Sequence, residues 1–115
     1  MTSIISDTAT IAINASLSGE VNLEHGDLFA LIMPAAWTAA VLTFSGSYDG
    51  TTFNPLYNDS GTEISFTVST SRFVVVTDPS RFFAVKKLKV RSGPVALPVN
   101  QAAARTINLI VLQEP

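Results

Sequence analysis

Short runs of alternating apolar and polar residues follow one another along this chain, separated by turn-forming Gly, Asn, Asp, Ser and Pro. A period of two places successive side chains on opposite faces of a β-strand. The runs that predict strands are 11–17, 21–23, 28–33, 40–48, 52–57, 63–68, 72–76, 83–90 and 106–112. Short, regularly spaced strands are typical of two-sheet proteins, so the sequence predicts an all-β, single-domain antiparallel β-sandwich, jelly-roll-like, with about eight strands.

Three of these runs predict more than the presence of a strand. Residues 28–33 are apolar on both faces, which predicts a central strand, or one whose outer face is covered by a partner. Residues 72–76 are also largely apolar and are predicted to form a buried strand. Within 83–90 the apolar positions change phase, so we predict a β-bulge near Lys86 that turns Phe83 and the later apolar residues alike toward the core.

Turns are predicted where residues that tolerate unusual backbone angles stand between the runs. Asp49-Gly50 predicts a tight hairpin turn between two aromatic segments, and 58–61 predicts a second turn. Pro79, preceded by an aspartate, predicts a single helical turn over 77–82, because proline is favoured at the first helical position after a cap.

Two segments outside the predicted core are candidates for contacts with other proteins. Residues 1–8 are predicted to form a flexible N-terminal arm that orders on a neighbour, while 9–115 form the sandwich domain. The proline-containing loop 92–103 is long for a compact domain, and such loops often carry contacts. The candidate protein-contact residues are Met1, Thr2, Ser3, Ile4, Ile5, Trp37, Pro94, Leu97 and Pro98.

Composition narrows the class of protein. Its 115 residues suffice for one domain with a core, and only 14% are charged, well below the roughly 25% usual in soluble proteins. A surface so poor in charge suits a protein whose surface is partly covered by neighbouring molecules in an assembly. The chain contains no cysteine, which excludes disulfides and thiolate metal sites. We expect a chain made in the cytoplasm, with neither a signal peptide nor a membrane span.

Charge is divided unevenly along the chain. Residues 1–71 contain seven acids and no Lys or Arg, net −7, whereas residues 72–115 contain seven bases and two acids, net +5. Two interpretations remain open. Strands from the two parts can pair within one sheet, so that opposite charges meet across neighbouring strands. Alternatively, acidic and basic surfaces of different subunits meet and steer their association.

No group of residues indicates catalysis, a cofactor or a metal. His25, with Glu24 and Asp27 nearby, lacks the second cluster that would complete a metal site. The chain has no Gly-x-Ser-x-Gly elbow, no phosphate-binding glycine loop and no carboxylate pair marked by its spacing. The basic run 86–91 fits the outward face of a strand, where lysines oppose aggregation, better than a phosphate-binding surface. We therefore expect a non-enzymatic protein without a nucleic-acid partner.

Four aromatic residues permit a different function, because exposed aromatic rings can stack on sugar rings. Trp37, Tyr48, Phe53 and Tyr57 would form such a platform in a carbohydrate-binding β-sandwich. Aromatic residues in a sandwich of this size more often belong to the core or to hairpins. Trp37, which follows Pro34 in a predicted loop, is the exception.

Four segments together resemble small virion proteins of tailed bacteriophages that are encoded among head and tail genes. They are 33–40 (MPAAWTAA), 47–57 (SYDGTTFNPLY), 87–93 (KLKVRSG) and 98–107 (PVNQAAARTI). The similarity extends over roughly residues 28–112, and the order of the segments is more specific than any one of them. The resemblance implies a β-sandwich that binds other virion proteins and has no catalytic residues.

Within that group, the resemblance implies a capsid decoration (cement) protein, which binds the major capsid protein outside the head and stabilises capsomer contacts. It implies a location in the virion and a homo-oligomer, preferably a trimer, with no membrane or nucleic acid as partner. Two alternatives remain open. One is another position in the virion, such as the neck, the tail or a fibre base; the other is a carbohydrate-binding module.

Overall fold

The computed structural model describes residues 3–113, which form two antiparallel β-sheets packed face to face. The strands are β1 (Ser3–Ile11), β2 (Val21–Asn22), β3 (Asp27–Ile32), β4 (Leu42–Ser47), β5 (Asn54–Pro55), β6 (Ser65–Phe66), β7 (Phe73–Val75), β8 (Lys87–Ser92) and β9 (Arg105–Gln113). A 3₁₀ helix, Pro79–Phe82, lies between β7 and β8. The predicted all-β sandwich is confirmed.

Sheet A has the strand order β1–β9–β3–β7, and sheet B has the order β2–β8–β4–β5, with β6 also paired to β4. Successive strands pass from one sheet to the other, except where β4, β5 and β6 follow one another in sheet B. This is the arrangement of a jelly roll. Both β5 and β6 lie along the edge of β4 that β8 leaves free, because an excursion over 57–63 interrupts what is otherwise one strand.

Aromatic rings fill the core next to sheet B. Phe44, Phe66 and Phe82 meet edge to face, with centroids 4.9 to 6.2 Å apart, an arrangement that aromatic quadrupoles favour. Phe82 reaches this cluster from the 3₁₀ helix, which confirms the predicted helical turn. The helix begins after Asp78, whose carboxylate accepts a 3.2 Å hydrogen bond from the Ser80 N–H.

The predicted hairpin between β4 and β5 is confirmed, but the predicted tight turn is wrong, because residues 48–53 form a longer loop between the two strands. The Asp49 carboxylate closes it by accepting hydrogen bonds from the backbone N–H groups of Thr52 and Thr51, both 2.9 Å, and from the Ser47 hydroxyl at 2.8 Å. These bonds, that of Thr52 first, hold the pKa of Asp49 well below its usual range. Gly50 has a φ of +86°, which glycine adopts without strain.

The N-terminal residues differ from the prediction. Ser3–Ile11 form β1, which pairs with β9 in continuous register, so residues 3–8 belong to sheet A rather than to a flexible arm. The alternation over 11–17, which predicts the first strand, ends in a turn at Asn14, where φ is +62°. Met1 and Thr2 lie outside the described residues.

Two further predictions need correction in the second part of the chain. The predicted buried strand over 72–76 is the edge strand β7, with outward side chains largely exposed. The predicted bulge near Lys86 is absent, because β8 begins only at Lys87 and pairs with β4 in regular register. Residues 83–86 instead form a turn that continues from the 3₁₀ helix, and it directs Phe83 outward.

Candidate functional site

The outer surface of sheet A carries almost no charge. Leu109 and Val111 of β9 are 0% and 1% exposed and face the core, so the alternate residues of β9 face outward. Registered partners in antiparallel strands share a face, which extends the outward set across β1, β3 and β7. We call this set the neutral face; it consists of Ile4, Ser6, Thr8, Thr10, Asp27, Ala30, Ile32, Phe73, Val75, Thr106, Asn108, Ile110 and Leu112.

Seven apolar residues of the neutral face form a continuous patch. They are joined by register pairs or by alternate positions of one strand: Ile4, Ala30, Ile32, Phe73, Val75, Ile110 and Leu112. Ile4, Phe73 and Val75 are 73%, 62% and 70% exposed, whereas Ile32, Ile110 and Leu112 are half-buried and Ala30 is only 5% exposed. Asp27, at one end, is the single charged residue of the neutral face. An apolar patch whose members at the two edges of the sheet are largely exposed is a candidate interaction surface.

The two edges of sheet A are less suited than its outer face to contact with another protein. Asp7 lies in the middle of edge strand β1, in register with the buried Leu109, so its carboxylate is on the inward side. An inward charge on an edge strand opposes pairing with a further strand. At the other edge, β7 is only three residues long. Another protein is therefore accommodated more easily on the neutral face than by adding a strand to either edge of sheet A.

The outer surface of sheet B is charged, and its basic residues have partners within the chain. Three bases project from β8, and each contacts a residue from the first part of the sequence: Lys87 with Glu20 at 3.3 Å, Arg91 with Glu63 at 3.8 Å, and Lys89 with Phe53, its Nζ 4.4 Å from the ring centroid. Opposite charges from the two parts of the chain therefore meet in one sheet, as the first interpretation predicts. Lys87, Lys89 and Arg91 of the basic run are occupied by these contacts rather than arranged as an open phosphate surface.

The loops at one end of the sandwich are tied together by Gln101, which is 0% exposed. Its Oε1 accepts hydrogen bonds from the Thr38 N–H (2.8 Å) and from Arg105 Nε (3.1 Å). Its Nε2 donates to the Thr38 carbonyl (3.0 Å) and the Ser92 hydroxyl (2.7 Å). We call this network the Gln101 clamp. Three of the four segments that resemble virion proteins meet in it, because they contain Thr38, Ser92 and Gln101.

An open hollow of about 800 Å³ lies at the opposite end of the sandwich. Its walls are the turn between β2 and β3, the end of β4 and the turn that follows the 3₁₀ helix. We call it the Tyr48 hollow, and the side chains that matter to its chemistry are Glu24, His25, Asp27, Tyr48, Phe83 and Lys86. Tyr48 and Phe83 are 76% and 62% exposed, so neither ring is part of the core.

The predicted contact residues near the start of the chain are divided by strand geometry. Ile4 lies on the neutral face, whereas Ile5 is half-buried and packs against the core. Ser3 is the first residue of β1 and is exposed. The sequence therefore locates one residue of the apolar patch, although it assigns that residue to an arm.

The other predicted contact residues lie at the clamp end. Trp37 is half-buried, and its Nε1 donates a 3.1 Å hydrogen bond to the Ala40 carbonyl, so it is not an open platform for sugars. Pro94, Leu97 and Pro98 are exposed in the loop between β8 and β9. That loop is held in place, because Glu63 accepts a hydrogen bond from the Val95 N–H.

Sequence reasoning missed Phe73 and Val75 as surface residues. The run 72–76 is apolar enough for a buried strand, and its own pattern does not reveal that it ends up at the edge of a sheet. The sequence did contain one signal: residues 28–33, which form most of β3, are apolar on both faces, as expected of a strand with a covered outer side.

The described residues form neither a metal-binding cluster nor a membrane-spanning helix. Within residues 3–113 there is no group of three or more potential ligands arranged to hold a metal ion. In the same part of the chain, no helix has the length and apolar character needed to cross a membrane. The described residues thus form a small jelly-roll domain. Its neutral face, on sheet A, has almost no charge, and the outer face of sheet B carries charges that are paired within the chain.

Comparison of the chain with models of protein families, with curated proteins and with solved structures found no match.

Proposed function

We propose that this protein is a non-enzymatic structural protein of a phage virion, a capsid decoration protein that docks on the major capsid protein through its neutral face. The apolar patch of that face, with Ile4, Phe73 and Val75 largely exposed, is the observation that carries the proposal. The resemblance of four segments to small virion proteins of tailed phages supports the class of assembly.

The size of the neutral face favours attachment in several copies. With about 4.8 Å between strands and about 3.4 Å per residue, four strands present an area on the order of 400 Å². A stable interface buries about 800 Å² on each partner, so one face alone provides a weak contact. A homo-oligomer, for which we favour a trimer, places several faces on the repeating shell at once and gains affinity through multivalency.

The two outer faces suit a protein with one side on a shell and one side in water. Burial of the neutral face desolvates a single carboxylate, that of Asp27, which lies at its end. Burial of the sheet B surface would desolvate Lys87 and its partner Glu20 as well as Lys89, and burying charges is costly even when they are paired. Docking through sheet A therefore leaves the charged surface hydrated.

The test is co-sedimentation of the purified chain with shells of the major capsid protein from the phage that encodes it. Val75→Lys places a charge in the apolar patch and should weaken binding by about tenfold or more. Phe83→Lys is the matched control, since its ring is similarly exposed but belongs to the Tyr48 hollow. Both variants should unfold within about 0.5 kcal/mol of the wild type.

Two outcomes would count against the proposal. Equal binding by Val75→Lys and the wild type would remove the neutral face as the docking surface. Binding of the wild type to purified tails or necks, but not to shells, would assign the chain to the other virion position that the resemblance leaves open.

A further inference from the structure

We propose that the Tyr48 hollow binds a neutral saccharide, at a site that shares Asp27 with the end of the neutral face but whose function is independent of the one proposed above. Two exposed aromatic rings from distant parts of the chain, Tyr48 and Phe83, line one open hollow. Aromatic faces are electron-rich and attract the C–H groups on the flat side of a pyranose ring. At about 800 Å³, the hollow is within the size range of small-molecule sites.

The polar groups of the hollow are free to bind hydroxyls. Among residues 3–113, none forms a hydrogen bond with the side chains of Glu24, His25, Asp27 or Lys86, or with the Tyr48 hydroxyl. The carboxylates accept hydrogen bonds from sugar hydroxyls and the ammonium group donates to them, and such charge-assisted bonds are the stronger kind. A ligand that both donates and accepts satisfies this mixture.

The composition of the hollow argues against other ligands. Its two carboxylates outnumber its one ammonium group, which disfavours phosphates and other anions. Two carboxylates and one histidine do not make a metal site here, since no such group is assembled within the described residues. An apolar ligand would leave the polar groups desolvated and unpaired, which is costly.

Backbone hydrogen bonds hold the walls of the hollow in position before any ligand binds. The Lys86 N–H donates to the Ser47 carbonyl at 2.8 Å, and the Lys86 carbonyl accepts from the Leu23 N–H at 2.7 Å, so one residue joins all three walls. Gly26 packs so closely on β9 that a Cβ there would lie 2.6 Å from the Leu112 carbonyl oxygen. A preformed site loses less entropy on binding.

The experiment is a titration of the ¹⁵N-labelled full chain, followed by amide NMR shifts, with neutral trisaccharides of glucose, of galactose and of N-acetylglucosamine. At least one should shift the amides of Gly26, Tyr48 and Lys86, with a Kd on the order of 1 mM. Tyr48→Ala and Phe83→Ala should each weaken binding about tenfold or abolish it. Tyr57→Ala, which removes an exposed ring outside the hollow, should leave binding unchanged.

The result that would overturn this proposal is also defined. It is the absence of shifts around the hollow with all three trisaccharides at about 10 mM, or shifts that persist in both alanine variants. Because both rings are exposed, each variant should keep the wild-type amide spectrum away from the hollow. Val75→Lys should bind the saccharide normally, so a failure of the docking proposal and a failure of this one can be told apart.

Discussion

Single polar side chains fix the turns of this sandwich, and Asp49 does so through its charge. Its carboxylate accepts two backbone hydrogen bonds and one from the Ser47 hydroxyl, and these bonds lower its pKa in the folded state. A carboxyl whose folded pKa is depressed stabilises the protein above its unfolded pKa. That stability is lost as the pH falls through the folded value.

We predict that Asp49→Asn lowers the melting temperature at pH 7 and that its difference from the wild type shrinks as the pH falls below about 4. Thermal unfolding followed by circular dichroism between pH 7 and pH 2 measures this. Asp59→Asn is the control, because the Asp59 carboxylate accepts no hydrogen bond from residues 3–113. A difference for Asp49→Asn that is constant with pH would show that its charge does not matter.

At the scale of elements, the loops at the clamp end depend on one buried amide. We predict that Gln101→Leu, which keeps the volume but removes four hydrogen bonds, lowers the free energy of unfolding by about 1–3 kcal/mol. The reason is that the Thr38 backbone groups lose their buried partners. Urea denaturation with an unchanged m-value measures the loss. The neighbouring exposed Asn100→Ala should change stability by less than about 0.5 kcal/mol, and an equal loss in both would contradict a specific role for the clamp.

The elements also show which features of the fold could be predicted from the sequence and which could not. Period-two patterns and turn residues predict the fold class, the Asp49 hairpin and the Pro79 helical turn, because these depend on neighbours in the chain. The edge position of Phe73 does not follow from its run, since strand order depends on pairing between distant segments. Phe83 is apolar like a core residue, and only the continuation of the 3₁₀ helix into a turn directs it outward. The neutral face and the Tyr48 hollow both depend on such long-range placement.

At the scale of the whole molecule, the unequal division of charge need not drive assembly. Glu20 and Glu63 already meet Lys87 and Arg91 within the chain, while the neutral face has one charged residue. We predict that the homo-oligomer keeps its mass between low salt and about 1 M NaCl, where screening is nearly complete. Light scattering at both salt concentrations measures this, and Val75→Lys should keep the wild-type mass, because the neutral face that it alters is the one that docks on the shell. Dissociation of the wild type in salt would favour charge-steered association instead.

The pairing of β1 with β9 has a consequence for how the chain folds. Ser3 lies opposite Gln113 in the register of sheet A, so the longest ladder of the protein joins strands at the two extremes of the described chain. Closing so large a loop has a high entropic cost, and proteins dominated by such non-local pairs fold slowly. Sheet A is therefore expected to form late, after the hairpins of sheet B, and β9 has one edge unpaired until β1 joins it. During that interval the chain is most prone to aggregate. Conditions that speed folding, together with a low protein concentration, should therefore increase the yield of protein refolded from denaturant.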